Sequence, residues 1–91
     1  MGDKSLPTIC EFFGIVIRMY CDDHNPPHFH AYYGSEQAIF GIETLELLEG
    51  SISRRGKAMI VEWASENRAA LMADWKLAEA HMPLEHIEPL E

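Results

Sequence analysis

The chain has 91 residues, 47% hydrophobic and 24% charged, the balance of one small globular domain rather than a disordered segment. Fifteen acidic residues against seven basic ones give a formal charge of -8, which argues against nucleic acid as a partner for the bulk of the surface. The two cysteines lack Cys-x-x-Cys spacing, and neither a signal peptide nor an apolar run of membrane length is visible, so a cytoplasmic protein with reduced thiols is expected.

Residues 1–6 read as a flexible lead-in, and residues 7–90 as a single domain. Thr8 to Phe13 is rich in β-branched and aromatic residues and predicts a short strand, ended by Gly14. Ile15 to Tyr20 predicts the strongest strand, with Ile15, Ile17 and Met19 on one face and Val16, Arg18 and Tyr20 on the other. Asp22 to Pro27 must be a loop, because Pro26 and Pro27 lack N–H groups. His28 to Tyr33 alternates again, and Gly34 to Gln37 is the next turn signal. Ala38 to Ile42 and Leu45 to Leu48 complete four to five strands.

Ser53 is a candidate N-cap. From Arg54 to about Ala80 the apolar residues recur at three and four, which predicts one long C-terminal helix with a weak patch at Ser65, Glu66 and Asn67. Pro83 stops it, and the tail can pack back in extended form. The fold class is therefore α+β: an antiparallel β-meander of four to five strands packed on one long C-terminal α-helix.

The densest chemistry lies in Cys21 to His30, which holds Asp22, Asp23, His24, Asn25, His28 and His30. If Asp22 to Pro27 closes a hairpin, Tyr20 faces His28 and Arg18 faces His30. Met19 then meets Phe29, and Ile17 meets Ala31, on the apolar side. That register puts the apolar partners on one face. With Gly34 to Gln37 as the following loop, Glu43 would fall opposite His28.

Three readings of this cluster compete. His28 and His30 point the same way from a strand, so with His24 or Asp23 they could ligate a metal; His24, His28 and His30 are the candidate ligands, and zinc is the candidate ion. No other cofactor is expected. Alternatively, His28 and His30, with Arg18 and Tyr20, could act as base, acid and anchor on a phosphodiester. The third reading is structural or interfacial. Asp23, His24 and Asn25 would tie the proline loop by side-chain to backbone bonds, and the polar, aromatic-bearing face would bind protein.

Trp63 and Trp75 lie about 120° apart around a helix, so one is expected in the core and the other at an interface. Arg54, Arg55 and Lys57 form a local basic spot at the helix start.

Pro7-Thr8-Ile9, Phe12 to Tyr20, Asp23-His24-Asn25-Pro26-Pro27-His28-Phe29-His30-Ala31, Tyr33-Gly34, Glu43-Thr44-Leu45, Arg54-Arg55, Glu62-Trp63 and Ile87 to Leu90 together resemble the bacterial domain of unknown function 4160 family. The resemblance runs over nearly the whole chain. It implies a small bacterial protein encoded beside a cognate protein of the domain of unknown function 2442 family, a pairing that looks like a toxin–antitoxin module. Gly41 stands where relatives are expected to carry a polar or acidic residue, and Gly56 where they are expected to carry alanine. The leading expectation is a cytoplasmic protein-interaction module, alone or as a homo-oligomer, with Asp23, His24, Asn25, Trp63 and Trp75 as binding candidates. The alternative is a small histidine-dependent nuclease or phosphodiesterase.

Overall fold

A computed structural model describes residues 7–91; the expected lead-in over residues 1–6 lies outside them. Five strands run in chain order, β1 (Thr8–Phe12), β2 (Ile15–Arg18), β3 (His28–Tyr33), β4 (Glu36–Gly41) and β5 (Leu47–Ser51). Each pairs antiparallel with its chain neighbour, so the sheet order is β1-β2-β3-β4-β5. Two helices follow, α1 (Arg54–Glu66) and α2 (Arg68–Glu79).

Tight turns set the registers. Phe13 and Gly14 turn β1 into β2 with positive φ at both residues, 48° and 84°, the twist that a two-residue hairpin prefers. Gly34 and Ser35 alone turn β3 into β4, so Tyr33 pairs with Glu36 and His28 with Gly41. Glu43 therefore does not reach His28. The turn is two residues shorter than the Gly34 to Gln37 signal implied, and Glu43 sits exposed in the β4–β5 connection. Across β2 and β3 the expected pairs Arg18 with His30 and Ile17 with Ala31 are both formed.

Alternation then sorts the sheet into two faces. Ile15, Ile17, Phe29, Ala31, Ala38 and Phe40 are buried, while Val16, Arg18, His28, His30, Tyr32 and Ile39 are only half-buried. Helix α1 covers the apolar face through Ile60, Trp63 and Ala64, spaced to share one side of the helix. The Trp63 ring lies 5.4 Å from Phe12 and 5.9 Å from Phe29. Phe29 in turn stacks on Phe40 at 5.7 Å. Helix α2 adds Leu71, Trp75 and Ala78 to the same core.

The expected single long helix is in fact two. Ser53 Oγ accepts the N–H of Gly56 and caps the start of α1, as its sequence position predicts. At the weak patch Asn67 leaves helical geometry, at φ -128° and ψ 24°. Its side-chain Nδ2 donates to the carbonyl of Trp63 at 2.8 Å, and its own N–H donates to Ala64. These bonds satisfy carbonyls that the end of a helix leaves free. The tail beyond α2 packs back. Glu85 N–H donates to Asp74 Oδ1, Ile87 N–H donates to the carbonyl of Ile9, and Trp63 Nε1 donates to the carbonyl of Glu88. No helix among the described residues is long and apolar enough to cross a membrane.

Candidate functional site

The site forms where the β2–β3 loop returns to the half-buried face of the sheet. Beyond β2 the chain turns at Tyr20 to Asp23, with the N–H of Asp23 donating to the carbonyl of Tyr20 at 3.4 Å. This turn carries the Asp23 carboxylate back towards β3. The two prolines then lead into β3, and the Pro27 carbonyl accepts the N–H of Ile42 at 3.0 Å, which ties the loop to the end of β4.

Asp23 Oδ2 lies 3.0 Å from His28 Nε2 and 2.9 Å from His30 Nε2. One carboxylate oxygen thus bridges both strand histidines. The side chains of His28, His30 and Asp23 keep 12%, 18% and 26% of their surface, so the cluster is sheltered yet open to solvent. His28 Nδ1 also lies 2.8 Å from the Pro26 carbonyl. Ring contacts frame the pair: Trp75 stands 5.1 Å from His28, and Tyr20 meets His30 edge-on at 4.7 Å.

A second layer sits beside it. The Tyr20 and Tyr32 hydroxyls share a hydrogen bond of 2.8 Å. Burial, with help from the Tyr20 hydroxyl, pushes the Tyr32 phenol up to about 12, so it keeps its proton at neutral pH. The Arg18 guanidinium lies 5.0 Å from the centre of the Tyr32 ring, and its Nε donates to Thr8 Oγ1. Arg18 is thus engaged in a cation–π contact on this face.

The candidates drawn from the sequence divide. Arg18, Tyr20, His28 and His30 do share one face, and Asp23 joins them. His24 and Asn25 are exposed, and it is Asp23 rather than His24 that meets the other two candidate ligands. Trp63 is fully buried and Trp75 is 3% exposed. Both indoles are core residues, so neither is available as the surface anchor expected of one of them.

The bridging role of Asp23 had no periodic signal, because it depends on how the loop folds back. A second trio, Cys21, Asp22 and His81, comes together on the exposed surface from the loop and the residues after α2. The long stretch of chain between Cys21 and His81 conceals this contact in the sequence. One hollow, of about 1000 Å³, is lined by Met19, Cys21, Ala78, His81 and Leu84 among others. His28 and His30 are not in its wall. A shallower one borders the site, lined by Tyr20, His30, Tyr32, Ile39 and Glu49.

A family model described as Domain of unknown function (DUF4160) matches residues 14–76. No curated protein and no solved structure matches the chain.

Proposed function

The chain belongs to the domain of unknown function 4160 family, and we propose that it works in the cytoplasm as a protein-interaction module whose docking surface is the half-buried face of the sheet. The composition of that face carries the reading. One row runs Val16, Tyr32, Gln37 and a second runs Arg18, His30, Ile39, Glu49 across neighbouring strands. Tyrosine and arginine on a firm sheet, beside an aliphatic centre and a charged rim, suit a protein partner. The partner is a cognate protein, of the domain of unknown function 2442 family, in a toxin–antitoxin-like pair; the family resemblance supports that choice.

Co-expression with the neighbouring gene product tests this. The complex should survive Glu79→Ala on α2 and be lost in the pair Tyr32→Ala with Ile39→Asp. Absence of a complex, or equal recovery of both variants, sinks the reading.

The convergence of Asp23, His28 and His30 favours a second reading, a small nuclease or phosphodiesterase centred on those histidines. If the chain alone slows growth, His28→Ala with His30→Ala should restore it. Undiminished toxicity in that variant removes this reading and leaves the first intact.

A further inference from the structure

Asp23, Pro26 and the two strand histidines impose a condition on one another. The Pro26 carbonyl can only accept a hydrogen bond, and His28 Nδ1 lies 2.8 Å from it. Nδ1 therefore carries a hydrogen. In a neutral ring this leaves Nε2 with only a lone pair to present. It presents that lone pair to Asp23 Oδ2 at 3.0 Å. An ionised carboxylate also offers lone pairs alone. His30 Nε2 approaches the same oxygen at 2.9 Å. Two nitrogens and one oxygen converge, all within 4.8 Å of one another.

A positive centre among them resolves this convergence. We propose that Asp23 Oδ2, His28 Nε2 and His30 Nε2 bind one first-row divalent transition ion, with zinc as its representative. Two imidazoles and one carboxylate are the donor set such ions take when some coordination positions stay open. The partial exposure of all three side chains provides the opening. With metal–donor bonds of about 2.1 Å, two donors sit about 3.0 Å apart at the right angle of an octahedron and about 3.4 Å apart in zinc's tetrahedron, so the 3.0 and 2.9 Å found here between Asp23 Oδ2 and the nitrogens need open by only about 0.5 Å for zinc.

The outer contacts agree. A metal-bound histidine usually donates its other ring N–H to a carbonyl or carboxylate, and His28 does so to Pro26. His28 and His30 stand two apart on one paired strand, so their rings are held in fixed relation. The ion brings in a Lewis acid that the docking reading neither requires nor supplies. A second proton on His28 would meet the same contact without any metal, and the two cases differ in what the protein takes up.

The experiment uses untagged protein, stripped with chelator and kept reduced, titrated with zinc chloride by calorimetry and with cobalt chloride by visible absorption. The expected result is saturable uptake of one ion per chain. Asp23→Ala and His30→Ala should each weaken it by at least about tenfold. The pair Cys21→Ser with His81→Ala should bind as the parent does, because that exposed trio is a separate group. Circular dichroism checks that the variants are folded, and Asp23→Ala, a loop change, carries the test if His30→Ala is not. No stoichiometric uptake of either ion overturns the proposal. So does undiminished affinity in Asp23→Ala, or uptake that depends on Cys21 and His81 instead.

Discussion

Asp74 Oδ1 accepts the backbone N–H of Glu85 at 2.8 Å, while Oδ2, equally enclosed, has no partner among the described residues. The side chain is 1% exposed. Burial raises its pKa above the ordinary 3.8; the bond from Glu85 opposes the shift and the Glu85 charge adds to it. The folded chain therefore takes up the Asp74 proton more readily than the unfolded one. From about pH 3.8 upwards this group erodes stability until the folded carboxyl has ionised, and the loss then persists. Asp74→Asn keeps an acceptor for Glu85 and carries no charge. Its denaturation midpoint should gain on the parent's as pH rises from about 4 to 7. A constant difference across that range would show that Asp74 is not the titrating group.

Trp63 joins three parts of the molecule: it packs on Phe12 and Phe29 and donates Nε1 to the Glu88 carbonyl. Trp63→Phe keeps an aromatic ring but leaves that carbonyl without its donor. A loss of about 1–3 kcal/mol in urea unfolding is expected, with earlier proteolysis of the tail. Trp63→Ala should cost about 3–5 kcal/mol.

Gly56 shows how a residue can look unfavourable in sequence and be required in space. Alanine is the better helix former by about 1 kcal/mol. Yet a Cβ at Gly56 would meet Tyr33 Cδ2 at 2.6 Å, a clash that only movement of the ring relieves. Gly56→Ala should therefore destabilise by about 1–3 kcal/mol. In a Tyr33→Ala background the same change should be neutral or favourable. Additive behaviour of the two would contradict the contact.

The two thiols should react very differently. Cys10 is buried, and burial pushes its thiol up to about 11. Cys21 is exposed. A thiol reagent on the native protein should label one cysteine per chain, none in Cys21→Ser, and both only after unfolding. Native labelling of Cys21→Ser would show that the Cys10 pocket opens.

Strand pairing around the site was legible because only one register of β2 on β3 puts Ile17 beside Ala31 and leaves Arg18 beside His30. A slip by one residue would have turned every apolar side chain outwards. The next register was not legible. Glu36 and Gln37 read as turn residues by composition but extend β4, and two residues of error moved Glu43 opposite His28. The weak patch at Asn67 marked where a break could fall, but hydrogen bonds to Trp63 and Ala64 decide that it does. Composition pointed to His28 and His30. Asp23 reaches them through a loop whose path has no period to read.

The bond from Ile87 to the carbonyl of Ile9 has a consequence for assembly. It sets Ile87 against the outer side of β1, so the Ile9 carbonyl on that border of the sheet is occupied. Among the described residues no backbone group pairs with the outer side of β5, where Leu48 is 40% exposed. A sheet with one free border can add a single partner strand and then stop, whereas two free borders permit open-ended growth. Ile87 thus takes a backbone acceptor on β1 that a second copy of the sheet would otherwise use. Deleting residues 84–91 should make light scattering climb more steeply with concentration than in the parent, with circular dichroism to check that the shortened chain, which loses buried Ile87, is still folded.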